Sequence, residues 1–188
     1  MRSARRIALL LACSAALAAG PAAAATPSPS VPHATMHLYA VGGASTAQIA
    51  ARLAANAPAS PDGCTCFAYT AWSYRWSWPG YGTAACDLAR AVVTIRVDVH
   101  FPRWTHPAAA PAAVAAAWAR FARALAVHES GHAAYARARL PFIVRAIKGA
   151  TCGTADAAAR AQLQVIRRHD VAYDARTNHG ETQGAHFP

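Results

Sequence analysis

The chain has 188 residues, enough for one ordinary domain, and a formal net charge of +10. Arginine carries nearly all of that charge, Lys148 being the only lysine, and the arginines are scattered along the chain rather than clustered. That pattern argues against a dedicated nucleic-acid face and fits a basic surface that could sit near an acidic envelope.

The first residues read as a targeting segment. Arg2, Arg5 and Arg6 precede the apolar run from Ile7 to Ala19, Gly20-Pro21 breaks any helix, and Ala22 to Ala25 are small residues suited to signal-peptidase cleavage. Residues 1–25 are therefore expected to be a secretory signal peptide, and its loss takes the net charge from +10 to +7. Cys13, after Leu10-Leu11-Ala12, loosely matches a lipoprotein box, but too few apolar residues precede it, so it belongs to the signal. No later segment is apolar over membrane-spanning length, so no integral membrane segment is expected after cleavage, and a secreted or periplasmic location follows. Cys64, Cys66, Cys86 and Cys152 then remain, an even number in an exported chain, which points to disulfides. Cys64 and Cys66 would point the same way in a strand, so each is expected to bond Cys86 or Cys152, in an order the sequence leaves open. A four-cysteine zinc site lacks its paired spacing.

Residues 26–35 read as a disordered linker, and residues 36–188 as a single domain. Met36 to Val41 is a short strand. Ser45 or Thr46 can cap a helix to about Asn56, carrying Ile49 and Leu53 on one stripe. Cys66 to Trp78 is rich in β-formers, with Trp72, Tyr74, Trp76 and Trp78 on one face, better read as a core-covering face than as a sugar platform. Pro79 to Gly82 turns the chain. Val93, Ile95, Val97, Val99 and Phe101 then alternate with Thr94, Arg96, Asp98 and His100, a half-buried strand forming an antiparallel hairpin with its predecessor. Ala112 to Arg139 is helical, with Val114, Trp118, Phe121, Leu125, His128, His132 and Tyr135 on one face. Pro141 is expected to interrupt it before a second stretch to about Lys148. A last helix covers about Ala155 to Tyr173, and Asp174 to Pro188 reads as loop. The expected fold is α+β: a small antiparallel sheet packed against a zincin-like active-site helix and a C-terminal helix.

The chemistry concentrates in His128-Glu129-Ser130-Gly131-His132, a His-Glu-x-x-His zinc motif. Residues four apart on a helix share a face, so both imidazoles can reach one ion. The carboxylate of Glu129, rotated off that line, can serve as general base toward the water such an ion activates. Catalytic zinc usually takes a third protein ligand. No further histidine follows within the next turns, and the next helix has no glutamate, which leaves Asp156, His169, Asp170, Asp174, His179, Glu181 and His186.

The zinc motif followed by Tyr173-Asp174-Ala175-Arg176-Thr177-Asn178-His179-Gly180 resembles the bacterial family of predicted secreted zinc-dependent proteases, a domain-of-unknown-function group. Tyr39-Ala40-Val41-Gly42-Gly43, Thr70-Ala71-Trp72, Cys86 and Pro102-Arg103-Trp104 agree with it, and the resemblance spans about residues 37 to 181. It implies His179 as the third metal ligand beside His128 and His132, with Asp174 as the alternative ligand or as an orienting partner. Tyr173 could donate a hydrogen bond to a developing oxyanion or simply pack on the zinc helix, and Asp170 is a candidate to orient a ligand. The expected activity is Zn2+-dependent hydrolysis of a peptide or protein substrate. The rival is a non-catalytic, zinc-stabilised cell-envelope binding module, for which Glu129 would have no use. By analogy with other zincins, strand 88–101 could offer its edge to an extended peptide. Oligomeric state is not legible.

Overall fold

The computed structural model describes residues 29–60, 63, 65–105 and 110–188. The expected signal peptide (1–25), Cys13 and Cys64 lie outside the described residues. The fold is α+β, with three strands and three helices in the order β1 (Thr35–Val41), α1 (Thr46–Asn56), β2 (Tyr69–Ser77), β3 (Val92–Trp104), α2 (Ala112–Lys148) and α3 (Ala155–Thr177). A 3-10 turn, Glu181–Gln183, follows α3.

The sheet has the order β1-β3-β2. The expected hairpin forms: β2 is antiparallel to β3, with Trp72 opposite Val97 and Tyr74 opposite Ile95. β1, however, runs parallel to β3, so the sheet is mixed rather than antiparallel. This placement also corrects the edge-strand expectation. β3 is flanked on both sides, which uses up its hydrogen-bonding edges and leaves β1 and β2 outermost.

Alternation sets the inner face. Val97, Val99 and Phe101 of β3 are buried, while Arg96, Asp98 and His100 stand on the other face. There Asp98 accepts from Arg96 Nε and pairs with His37, both at 2.7 Å, and its carboxyl is held down at about 2. The inner face packs beneath α2 with Ile49, Leu53, Phe121 and Leu125. Trp72, Tyr74 and Trp76 of β2 lie against a second apolar cluster of Ile143, Ile147 and Ile166 from α2 and α3. The aromatic stripe is therefore a core-covering face. The stretch expected as linker contributes Val31, 3% exposed, to the core, and β1 begins at its last residue, Thr35.

Two helices depart from expectation. α2 runs unbroken through Pro141 for 37 residues. Proline removes one backbone donor, but Ile143 and Ile147 beyond it are fully buried, and that packing continues the helix. α3 continues one turn past Tyr173 to Thr177, whose hydroxyl donates to the Tyr173 carbonyl at 2.8 Å, and Asn178 ends it in the left-handed conformation. The cysteines also differ. Cys86 and Cys152 bond each other, so Cys66, itself disulfide-bonded, is joined to neither, against expectation. No helix among the described residues is long and apolar enough to cross a membrane.

Candidate metal centre

α2 packs against both the sheet and α3, and its inward stripe carries His128, Glu129 and His132, all less than 8% exposed. The extra turn of α3 decides what they meet. Asp170 and Asp174 are four residues apart and so share a helix face. Both turn to His132: Asp170 Oδ1 lies 3.0 Å from Nδ1, and Asp174 Oδ1 lies 3.0 Å from Nε2. Asp174 Oδ1 is also 3.1 Å from His128 Nε2, and the two Nε2 atoms are 3.3 Å apart.

Two ring nitrogens and one carboxylate oxygen therefore make a triangle with sides of 3.0–3.3 Å. Ligands at the corners of a tetrahedron around zinc, each at about 2.0–2.1 Å, stand about 3.3 Å apart. The opposite ring nitrogens face oxygen acceptors. His128 Nδ1 lies 3.0 Å from Gln183 Oε1, the amide being oriented by its nitrogen's 3.0 Å hydrogen bond to Tyr173 Oη. His132 Nδ1 faces the Asp170 carboxylate, whose other oxygen accepts from Trp72 Nε1 at 2.8 Å. With both Nδ1 atoms turned to these oxygens, both Nε2 atoms face the same Asp174 oxygen, an arrangement in which a metal cation could be held.

The electrostatics agree. Burial opposes a charge on His132, but hydrogen bonds to Asp170 and Asp174, with the charges of Asp174 and Glu129, outweigh it and raise its pKa to about 10. Burial likewise opposes the charge of Asp174, yet hydrogen bonds from His128 and His132 hold its carboxyl well below the usual range. Burial pushes Glu129 up, against the opposing pull of Thr70 and the two imidazoles. Thr70 of β2 donates to Glu129 Oε2 at 2.7 Å and so orients that carboxylate.

Close packing holds the rings. Tyr173 stacks on His128 with centroids 5.1 Å apart and an 8° interplanar angle, and meets His132 edge-on. A Cβ at position 131 would lie 2.4 Å from Tyr173 Oη, and one at position 180 would lie 2.9 Å from His128 Cγ. Glycine at both positions is what lets α3 and the following turn approach α2.

Among the expected site residues, His128, His132 and Asp174 come together as a possible metal-holding group. His179, expected as the third ligand, stands beside them: its Nδ1 is 3.9 Å from Asp174 Oδ1 and its side chain is 59% exposed. The physical reason is the longer α3, which keeps Asp174 on the helix face and puts His179 beyond its end. Tyr173 Oη is engaged by Gln183, on the Nδ1 side of His128, where the tyrosine ring stacks on that imidazole. Asp156 is tied to Trp76, Tyr81 and Arg160, and His169 stacks on Tyr135 at 3.4 Å. Glu181 pairs with Asn178, and His186 lines a groove with Arg120 and Arg123. Thr70 and Trp72 stood out in the sequence only through the family resemblance and the aromatic stripe, and Gln183 not at all; lying 59, 98 and 55 residues from their partners, they carry no local sign of these contacts.

No curated protein and no solved structure matches the chain. Residues 36–180, which contain His128, Glu129, His132 and Asp174, match a family described as bacterial protein of unknown function (DUF922), and the chain belongs to that family.

Proposed function

We propose that this chain is a zinc-dependent hydrolase, acting on peptide bonds in the periplasm or outside the cell. The observation that carries the reading is the convergence of His128 Nε2, His132 Nε2 and Asp174 Oδ1, with Glu129 buried on the helix of the two histidines. Two imidazoles and one carboxylate at tetrahedral spacing suit zinc and leave a fourth position for water or substrate. When bound, zinc supplies Lewis acidity to the groups that meet it.

The chain's own residues supply the rest. Asp170 and Gln183 keep the histidine tautomers with Nε2 free. Thr70 occupies one oxygen of Glu129, leaving the other to take a proton from the attacking water and deliver it to the departing amine. Burial raises the pKa of Glu129, which strengthens it as a base. Tyr173 acts as a wall that fixes the His128 ring. A zinc-stabilised binding module would use the same ligands but gives Glu129 no task.

The test is hydrolysis of unfolded casein by the zinc-loaded protein, beside Glu129→Gln. The expected result is cleavage that is abolished by a zinc chelator, with the variant keeping its zinc and losing at least about a hundredfold in rate. Equal cleavage by the variant would remove Glu129 as the base.

A further inference from the structure

The turn after α3 is wound left-handed over three consecutive residues: Asn178 at φ 47°, His179 at φ 50° and Gly180 at φ 88°. One left-handed residue, usually glycine, is enough to end a helix. Two non-glycine residues ahead of Gly180 are therefore more than termination requires, and backbone of this kind persists only where its surroundings over-determine it. Here they do. His179 N donates to Asp174 O at 3.0 Å, Thr182 Oγ1 to Thr177 O at 3.1 Å, and Asn178 Nδ2 to the Glu181 carboxylate. Gly180 and Gln183 then fasten the turn to the ring of His128.

This winding puts His179 in one place. Its imidazole is 59% exposed, with Nδ1 3.9 Å from the Asp174 oxygen that faces both histidines. It has neither the burial of the three converging groups nor their 3.0–3.3 Å spacing, so it does not complete their triangle. We propose that His179 is a catalytic residue that faces the substrate: its imidazole donates a hydrogen bond to the carbonyl oxygen of the scissile bond as that oxygen becomes negative. The left-handed turn holds this donor exposed beside the triangle before substrate arrives, and such preorganisation is the condition for the donor to be effective. The assignment rests on the hydrolase reading above and adds to it the group that meets the carbonyl.

The test needs no known substrate. The chain is loaded with Co2+, whose visible absorption reports its ligands, and titrated with acetohydroxamate, a small oxyanion that binds an open metal position. Wild type is compared with His179→Gly, which suits the left-handed backbone but lacks the imidazole, and with His179→Asn, which suits it and keeps an N–H donor. Expected are unchanged cobalt binding and spectrum in both variants, acetohydroxamate affinity weakened about tenfold or more in His179→Gly, and partial recovery in His179→Asn. Loss of cobalt in both variants would make His179 a metal ligand and overturn the proposal. Unchanged acetohydroxamate affinity in His179→Gly would overturn it as well, while leaving the metal site intact. Failure of wild type to take up cobalt would show instead that the hydrolase reading has fallen, and this proposal with it.

Discussion

His132, only 7% exposed, is held between two carboxylates, Asp170 at Nδ1 and Asp174 at Nε2. In the metal-free protein a proton on His132 does the work a cation would do, which is why its pKa rises to about 10 from an ordinary 6.5. The sign of the linkage follows. The folded-state pKa is raised, so the stabilisation from this proton is fully present below pH 6.5 and is lost as pH climbs through about 10. A metal entering at Nε2 must displace the same proton, while Asp174, held far below its usual range, has none to give. Zinc binding near pH 7.5 should therefore release about one proton per ion, measured by calorimetry in buffers of different ionisation enthalpy. Zero release would mean that His132 is not protonated in the metal-free site.

The helices carry the positioning. α2 delivers His128, Glu129 and His132 from one short motif, legible in the sequence because residues four apart must share a face. Asp174 was harder to assign because the last turn of α3 is spelled by Asp174, Arg176 and Thr177, which reads as polar loop. Thr177 is nevertheless buried with its hydroxyl satisfied within the helix, and the turn stays wound. Pro141 misled in the opposite direction, since a local rule was overruled by Ile143 and Ile147 packing on the second apolar cluster. That proline is exposed and its ring interrupts the helical hydrogen bonding, so Pro141→Ala should stabilise the fold by about 1–3 kcal/mol, read from the denaturant midpoint. A loss of stability would mean that a bend at Pro141 is needed for the packing of α2.

Over the whole molecule, the sequence revealed the elements better than their long-range pairing. The hairpin of β2 and β3 follows from alternation and an intervening turn, but nothing local announces that β1 joins β3 in parallel from about sixty residues away. The disulfide was likewise open until geometry brought Cys86, after β2, against Cys152, between α2 and α3. It closes a span of 66 residues, so replacing both cysteines by serine should cost about 4 kcal/mol by loop entropy and lower the thermal midpoint accordingly. An unchanged midpoint would show that the denatured chain is not loosened by the loss of this link. The bond tethers the turn between α2 and α3 to the segment between β2 and β3, while the triangle of His128, His132 and Asp174 joins the far end of α3 to the middle of α2. The central claim is that triangle, and zinc stoichiometry of the purified chain tests it most directly, beside His132→Ala, Asp174→Ala and His179→Gly. One zinc per chain, lost with His132 or Asp174 and kept without His179, is the predicted result; no zinc in the wild type, or zinc retained without Asp174, would contradict it.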